Sequence, residues 1–284
     1  MQSSNVDLSS GKLFDVTGLT AVVTGGGTGI GLMITRALVA NGIKKVYIVG
    51  RRLDVLQTTA QEYGPDQIVP LQADLTEKDE VEKLKMEIQS KENYLDLLVN
   101  NSGISGPPFN GKATDIDSIA ESLWSAKLED AKELLHTNIL GYFFTTAALL
   151  PLLGQSPNHP QVINISSNAS FGRRVMAGML YSMTKASVTH FTKLLATHLA
   201  PTKVRCNAIA PGLFPSELTA GNSDDKNLSE LKDTMGIEVP LGRAGNDKEM
   251  ASAVLFLASK NQLYTSGSII QTDGGVLNIM PSSY

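Results

Sequence analysis

Short apolar runs alternate with amphipathic segments along the whole chain, and this alternation restricts the possible folds more than any other feature. The runs are only five or six residues long and rich in β-branched side chains, so they predict strands that are buried on both faces, as in a parallel sheet. The predicted strands cover residues 19–24, 45–49, 67–71, 95–100, 161–166, 204–208 and 267–272.

The segments between the predicted strands have the apolar periodicity of helices. They cover residues 30–40, 78–91, 128–150, 181–199 and 248–258. Repeated strand–helix alternation predicts the α/β class: a single Rossmann-type, doubly wound parallel sheet of about seven strands with helices on both faces.

No linker divides the chain. Residues 1–14 are polar and are predicted to be a flexible N-terminal segment, and residues 15–284 to be a single domain. Residues 213–242 are rich in Ser, Asn and Asp, with one short helical pattern at 228–235. A long insertion in a compact sheet is often a lid over a site, so we predict a substrate lid here. A surface excursion is the alternative that composition leaves open.

The composition excludes several functional classes. The net charge is −4, so neither nucleic acid nor an anionic membrane is an expected partner. The longest apolar stretches, such as residues 149–153, are shorter than the roughly 20 residues of a membrane span. Because Cys206 is the single cysteine and no secretory signal is recognisable, a cytoplasmic location is expected. No spacing of His and Cys suggests a metal site.

A glycine-rich turn directly follows the first predicted strand. Gly25, Gly29 and Gly31 give the spacing G-x-x-x-G-x-G, with Thr28 and Ile30 between them. Such a turn brings backbone N–H groups and the positive end of a helix against a pyrophosphate. The spacing departs from G-x-G-x-x-G, and the turn also suits a methyltransferase that binds S-adenosylmethionine, so later residues must decide.

The end of the second predicted strand indicates which dinucleotide binds. A Rossmann fold that prefers NAD usually has Asp or Glu there, to bind the ribose 2′-hydroxyl. This strand is followed by Arg51 and Arg52, and no carboxylate appears until Asp54. Because a guanidinium matches a phosphate bidentately, the pair predicts NADP(H) as the cofactor. Two solvated arginines are the alternative.

Tyr181 and Lys185 are four residues apart in a predicted helix, so they share one face. A neighbouring ammonium is expected to lower the pKa of the phenol from its usual value of about 10, and such a phenol can exchange a proton with a carbonyl oxygen. Helices carry such pairs by chance, but Ser167, at the end of the fifth strand, offers a hydroxyl for the developing oxyanion. Ser166 and Ser170 are its alternatives.

Two further strand ends carry residues suited to a ligand, namely Asn-Ser-Gly at 101–103 and Pro-Gly at 211–212. Open α/β sheets bind ligands at the carboxyl ends of their strands. A methyltransferase gives no reason for this serine, tyrosine and lysine to occur together, so that alternative is disfavoured.

In combination, these motifs resemble the short-chain dehydrogenase/reductase family, in the single-domain branch with Y-x-x-x-K and similar to fungal and 3-oxoacyl reductase-like members. The resemblance rests on TGGGTGIG at 24–31, NNSG at 100–103, YSMTK at 181–185, PG at 211–212 and DGG at 273–275. Two departures concern the site. Ser102 stands where the family usually has Ala, and the gap from Ser167 to Tyr181 is one residue longer than usual. Counting back from Tyr181 would select Asn168, but the strand end favours Ser167.

The resemblance implies a role for each site residue. Tyr181 would be the acid/base, Ser167 the partner of the substrate oxygen, Lys185 the ligand of the nicotinamide ribose, and Asn138 the holder of a relay water. The catalytic set is therefore Asn138, Ser167, Tyr181 and Lys185. The cofactor-binding set is Gly25, Thr28, Gly29, Ile30, Arg51, Arg52, Asp74, Leu75, Asn101, Ser102, Gly103, Tyr181, Lys185, Pro211, Gly212, Leu213 and Thr219.

The favoured function is that of an NADP(H)-dependent carbonyl reductase or alcohol dehydrogenase, which makes residues 15–284 an NADP(H)-binding catalytic domain. The alternative is an NADP(H)-binding protein repurposed for sensing or for a non-redox reaction. The substrate is expected to be largely apolar, in keeping with secondary or fatty-acyl metabolism. A homo-oligomer is expected because the predicted helices 128–150 and 181–199 are too apolar to face solvent, and the resemblance implies a homotetramer. The expected apolar lining is Pro107, Pro108, Phe109, Phe171, Met176, Met179, Leu213, Phe214, Met235 and Met280, with Arg173 and Arg174 available to an anionic tail.

Overall fold

The computed structural model describes residues 6–110 and 114–283 of the chain. Within these residues, seven parallel strands form one sheet in the order β3-β2-β1-β4-β5-β6-β7, with helices packed on both faces. The predicted fold class is therefore confirmed. The strands are β1 (Thr20–Thr24), β2 (Lys45–Gly50), β3 (Ile68–Gln72), β4 (Leu97–Asn100), β5 (Gln161–Ile165), β6 (Arg205–Pro211) and β7 (Ile269–Thr272).

The helices lie between the strands and before the first of them. They are α1 (Ser10–Leu13), α2 (Gly29–Ala40), α3 (Leu53–Tyr63), α4 (Lys78–Lys91), α5 (Ile116–Trp124), α6 (Leu128–Leu135), α7 (Gly141–Gly154), α8 (Met179–Leu199), α9 (Glu217–Ala220) and α10 (Asp247–Ala258). The sequence pattern does not predict α3 or α5. Few side chains of α3 and none of α5 are buried.

The sheet is buried on both faces, which explains why its strands are continuous apolar runs rather than alternating ones. All five residues of β1 are buried. On one face, helices α2 and α10 bury Ile34 and Val254 against the sheet. On the other face, α4 and α7 bury Ile88 and Leu153.

The strand order reverses beside β1, because the chain builds outward through β2 and β3 and then returns to add β4 on the other side. Connections on the two sides of this point leave the sheet in different directions and open a crevice at the carboxyl ends of the strands. The glycine-rich turn after β1 lies at this crevice.

The long apolar helix predicted at 128–150 is interrupted. A π-helical turn, His136–Leu140, separates α6 from α7. The whole run Leu128–Gly154 is 27 residues long with a mean hydropathy of 1.3 in its most apolar stretch, which is enough to cross a membrane by length and composition, and 44% of that stretch is buried in the fold. Burial against the sheet accounts for part of its apolar character.

The insertion after β6 contains the four-residue helix α9, but residues 228–235 are not helical, so that predicted helix is wrong. A side-chain oxygen takes a backbone N–H group that a helix would use: Asp233 accepts from Met235 N at 2.6 Å. Such local bonds compete with helix formation.

The N-terminal segment, predicted to be flexible, is described only in part. Residues 1–5 lie outside the described residues, but residues 10–13 form α1. The carbonyl oxygen of Leu13 accepts a hydrogen bond of 2.6 Å from Ser259 Oγ, which follows α10. The end of this segment therefore packs against the domain.

Candidate active site

The ends of β1 and β4 are joined by a small set of hydrogen bonds. Thr24 Oγ1 accepts from the backbone N–H groups of Asn101 at 2.8 Å and Ser102 at 3.0 Å. The side-chain amide of Asn101 donates to the carbonyl oxygens of Thr24 at 2.9 Å and Gly25 at 3.2 Å. The predicted contact residues after β4 are thus fixed to the start of the glycine-rich turn.

The glycines of the turn allow approaches that a side chain would prevent. Gly25 has φ +62°, in the left-handed region. A Cβ on Gly31 would lie 2.0 Å from the carbonyl oxygen of Gly25, and one on Gly29 would lie 2.8 Å from Cβ of Ser216. The first turn of α2, whose leading N–H groups have no partners within the helix, therefore lies directly against the turn. This cradle fits the pyrophosphate of a dinucleotide.

A cleft with a volume of about 630 Å³ runs along the carboxyl ends of the strands. It brings together residues from the turn after β1, the end of β2, the ends of β3, β4 and β5, the start of α8 and the segment after β6. The predicted site residues that line it are Gly25, Thr28, Gly29, Ile30, Arg51, Arg52, Asp74, Leu75, Asn101, Ser102, Gly103, Ser167, Tyr181, Lys185, Pro211, Gly212 and Thr219. The remaining two, Asn138 and Leu213, do not line it.

Helix α8 begins two residues before Tyr181. Its N-cap is Gly178, with φ +100°, and a Cβ there would lie 2.7 Å from the carbonyl oxygen of Pro107. Tyr181 and Lys185 project together from the first turns of this helix, and Lys185 Nζ lies 5.8 Å from the centre of the Tyr181 ring. The sequence spacing and the structure agree on this pairing.

The protonation of this pair is governed by burial. Lys185 is 4% exposed, and burial lowers its pKa from 10.5 to about 8. Burial also raises the pKa of Tyr181, and a hydrogen bond with Ser167 partly opposes that rise. The sequence predicts a tyrosine pKa lowered by the ammonium. The structure instead gives a phenol that stays protonated at neutral pH, because desolvation of the phenolate is the larger effect.

The three candidate serines have different partners. Ser166 Oγ donates to the carbonyl oxygen of Lys185 at 3.0 Å and lies 2.7 Å from Thr189 Oγ1. This hydroxyl is therefore already paired with groups of α8. Ser170 Oγ donates to the carbonyl oxygen of Ser167 at 2.7 Å. Ser166 and Ser167 both line the cleft, but Ser167 is the one whose hydroxyl interacts with Tyr181. Asn168, the residue that family spacing selects, is buried and does not line the cleft.

Asn138 is completely buried in the π-helical turn between α6 and α7. Its Oδ1 accepts from Ile104 N at 2.9 Å, and its Nδ2 donates to Ile104 O at 3.0 Å and Thr184 Oγ1 at 3.2 Å. The side chain therefore ties the segment after β4 to α8. Its Oδ1 can accept one further hydrogen bond, and a relay water at this place stays a prediction.

The far end of the cleft contains the charged groups that would surround an adenosine. Burial raises the pKa of Asp74, but hydrogen bonds from Thr76 and the nearby charge of Arg51 outweigh it and hold that pKa below its usual value. Arg52 is paired with Glu217 of α9, with Nη2 to Oε2 at 2.6 Å. Glu217 is not predictable from the sequence, because its partner lies 165 residues away and no local pattern indicates the contact.

The apolar residues predicted to line a substrate pocket are mostly elsewhere. Of the ten, only Phe214 lines the cleft. Leu213 lines a second cavity of about 870 Å³, beside β7 and α10. The C-terminal tail instead pairs with the segment that follows Ser167: Ser283 N donates to Phe171 O at 2.8 Å. Within residues 6–110 and 114–283, no group of three His, Cys, Asp or Glu side chains could hold a metal ion.

Comparison with known proteins agrees with this geometry. The sequence model of the short chain dehydrogenase family matches residues 19–227. The chain is 43% identical to the short-chain dehydrogenase/reductase PhomF of Diaporthe leptostromiformis over 286 residues, covering 98% of this chain and 97% of that protein. It is 32% identical to the rhamnolipids biosynthesis 3-oxoacyl-(acyl-carrier-protein) reductase of Pseudomonas aeruginosa, covering 92% of this chain and 97% of that protein.

A solved structure gives the same result. The Pseudomonas aeruginosa RhlG/NADP active-site complex superposes with a TM-score of 0.78 at 29% identity, covering 93% of this chain and 98% of that chain. The family match spans most of the chain and includes the turn after β1 and the Tyr181–Lys185 pair. This protein therefore belongs to the short-chain dehydrogenase/reductase family of oxidoreductases.

Proposed function

We propose that this protein is an NADP(H)-dependent oxidoreductase that interconverts a carbonyl and an alcohol on a largely apolar substrate. The observation that carries the proposal is the meeting of Ser167, Tyr181 and Lys185 in one cleft, beside a glycine cradle that fits a pyrophosphate. Arg51 at the end of β2 supports NADP(H) over NAD(H), because it lines the same cleft and has no ion pair within the described residues.

The chemistry follows from the protonation states of the site. When bound, the dinucleotide supplies or accepts the hydride. The Tyr181 hydroxyl, kept protonated by burial, donates its proton to the carbonyl oxygen as negative charge develops there. The Ser167 hydroxyl donates a hydrogen bond to the same oxygen and stabilises that charge. In the oxidative direction the deprotonated form of Tyr181 would take up the alcohol proton, while the Ser167 hydroxyl keeps its hydrogen bond to the oxygen.

Lys185 and Asn138 have supporting roles in this proposal. A Cβ on Gly103 would lie 3.6 Å from Lys185 Nζ and 3.2 Å from Asn138 Oδ1, so the backbone after β4 passes close to both side chains. Lys185 is thereby available to the ribose hydroxyls of a dinucleotide, and Asn138 holds the segment in place.

The relatives support a ketone on an apolar skeleton, since one is named a 3-oxoacyl reductase. The lining of the cleft beyond the cofactor gives weaker support, because most of the predicted apolar residues lie outside it. A cytoplasmic homotetramer is part of the same proposal.

The test is a screen of NADPH oxidation against ketones, β-ketoacyl thioesters, quinones and sugars, with Tyr181→Phe as the matched control. Turnover of a hydrophobic ketone by the natural sequence and not by the variant is expected. A clear preference for sugars would refute the substrate class. NADPH binding without turnover of any carbonyl would favour the alternative, a dinucleotide-binding protein used for sensing or non-redox chemistry.

A further inference from the structure

An ion pair spans the cleft at its phosphate end. Glu217 binds Arg52 in a fork, with Nη1 to Oε1 at 3.1 Å and Nη2 to Oε2 at 2.6 Å. Arg52 follows β2, and Glu217 begins α9 after β6. Three strands, β1, β4 and β5, lie between those two in the sheet. The pair therefore joins the two halves of the fold across the mouth of the cleft.

The residues beside Glu217 rest on the phosphate-binding turn. Ser216 is so close to Gly29 that a Cβ on this glycine would lie 2.8 Å from Ser216 Cβ. Thr28 Oγ1 lies 3.5 Å from Glu217 Oε2. Segment 216–220 thus covers the place where a pyrophosphate would meet the N-terminus of α2.

Segment 216–220 is held in shape from within. Thr219 Oγ1 donates to Phe214 O at 2.7 Å and accepts from Ser216 N at 3.0 Å, which forms a capping box around α9. This leaves little freedom in the backbone that presents Glu217. The ion pair is consequently the contact that connects a preformed segment to the opposite side of the cleft.

The two arginines after β2 differ in their ion pairing. The Arg52 side chain is committed to Glu217, although it is 56% exposed. Arg51 lines the cleft and, within residues 6–110 and 114–283, makes no ion pair. An exposed ion pair such as Arg52–Glu217 contributes little to the stability of a fold. Its effect is instead to fix the position of segment 216–220 over the cleft.

We propose that Arg52 and Glu217 form a latch that keeps segment 216–220 closed over a bound dinucleotide, and that Arg51 alone discriminates the 2′-phosphate. This inference rests on the proposed function. Because the latch bears on the pyrophosphate, which NADPH and NADH share, opening it accelerates the release of both dinucleotides equally. Glu217 is in this sense a positioning residue for the cofactor.

A different role for Arg52, binding the 2′-phosphate itself, predicts a different effect of removing the Glu217 charge. If a 2′-phosphate drew Arg52 away from Glu217, the carboxylate would be a competitor of the phosphate. Removing its charge would then tighten NADPH binding and leave NADH unchanged. Comparing NADPH with NADH in the same variant therefore distinguishes the two roles of Arg52.

The experiment measures dissociation rates of NADPH and NADH by stopped-flow displacement, followed by the fluorescence of the reduced nicotinamide. The variants are Glu217→Gln, Arg52→Gln and their double variant. Glu230→Gln, which changes an exposed carboxylate of the same insertion, is the matched control. Each single variant is expected to release both dinucleotides about threefold faster, in line with an exposed ion pair, and the double variant no faster than either.

Salt provides a second readout. High ionic strength screens an exposed ion pair. At about 0.5 M salt, the dissociation rate of NADH from the natural sequence is therefore expected to rise to the rate measured for Glu217→Gln. Unchanged release of both dinucleotides in Glu217→Gln overturns the latch, and selective tightening of NADPH assigns Arg52 to the phosphate. If the natural sequence binds neither dinucleotide, the proposed function itself fails, and the latch with it.

Discussion

The ammonium of Lys185 donates a hydrogen bond of 2.9 Å to the carbonyl oxygen of Ile165, the last residue of β5. The Tyr142 hydroxyl donates to the same oxygen at 3.1 Å. No carboxylate pairs with this lysine within the part of the chain that the structure describes. A charged group is therefore held in a buried position where it weakens the folded state.

Lys185→Met is expected to stabilise the protein without its cofactor while abolishing turnover. The fall of the Lys185 pKa from 10.5 to about 8 corresponds to a cost of about 3 kcal/mol for the buried charge. The Ile165 oxygen keeps the Tyr142 hydroxyl as its partner. Allowing for lost contacts, urea unfolding at pH 7 should show a gain of about 2 kcal/mol.

The sign of the pH dependence provides the control for that variant. Below pH 8 the lysine is charged in the folded and the unfolded chain, and the full cost applies. Between about 8 and 10.5 the unfolded chain binds more protons, so the stability of the natural sequence rises with pH. The advantage of Lys185→Met should shrink over this range, and an advantage that is constant with pH would contradict the argument.

Tyr181→Phe removes the proposed proton donor and leaves the ring. The expected result is a fall in kcat of about 10²-fold or more, because general acid catalysis is typically worth that much. NADPH affinity, measured by fluorescence titration, should change little. Ser167→Ala is expected to lower kcat as well, through lost stabilisation of the oxygen. Near-natural turnover by Tyr181→Phe would remove the tyrosine from its proposed role.

The strand pattern was sufficient to predict the sheet, because the central strands β1, β4, β5 and β6 are buried along their whole length and their apolar runs are a local property of the sequence. The turn after β1 and the pair Tyr181–Lys185 were also predictable, since glycine spacing and the helical period are local properties. Contacts between segments that are distant in the sequence were not predictable. The pairing of Arg52 with Glu217, or of Ser283 with Phe171, depends on how the insertion and the tail fold back.

The tyrosine pKa shows a second limit of the sequence. Residue spacing places an ammonium near the phenol, but the direction of the shift depends on burial, which only the packed structure provides. The π-helical turn at Asn138 is similar. The sequence pattern runs through residues 136–140 as ordinary helix, and the extra residue in the turn is set by the bonds of the amide to Ile104 and Thr184.

Arg51→Asp is expected to convert the cofactor preference. A charge-assisted hydrogen bond contributes about 1.5–3 kcal/mol, so the Kd for NADPH should rise by about ten- to a hundredfold. NADH has no 2′-phosphate and is the internal control, with a Kd that is unchanged or slightly lower. Titration of both dinucleotides by fluorescence provides the test. Equal affinity of the natural sequence for the two dinucleotides would contradict the assignment.

Asn138→Ala is expected to lower both stability and activity, because it leaves the partly buried N–H and carbonyl groups of Ile104 without their partner. The cost of unpaired buried groups is about 1–3 kcal/mol. Asn207→Ala is the matched control, since that buried amide also binds a loop through donor and acceptor, at Thr265 O and Ser268 N. Both variants should unfold at lower urea concentration, but only Asn138→Ala should raise the KM for NADPH.

One side of α7 and α8 is apolar and exposed. Phe143, on α7, is 48% exposed, and Met183 and Leu194, on α8, are 58% and 49% exposed. The rings of Phe143 and Phe191 are 5.9 Å apart, so the two helices form a common surface. Exposed apolar patches of this kind mark protein–protein contacts, and the proposed tetramer would bury this surface between subunits.

Phe143→Glu is expected to break the tetramer into smaller species, because burying an unpaired carboxylate in an apolar contact is strongly unfavourable. Size-exclusion chromatography with light scattering at micromolar concentration measures the mass. Met86→Glu is the matched control, since Met86 is 59% exposed on α4 and lies outside the surface of α7 and α8. The natural sequence and the control should run at four times the chain mass of 30.3 kDa, and Phe143→Glu below it. A monomeric natural protein would end the proposal of a tetramer, whereas a tetramer that survives Phe143→Glu would move the contact to another face.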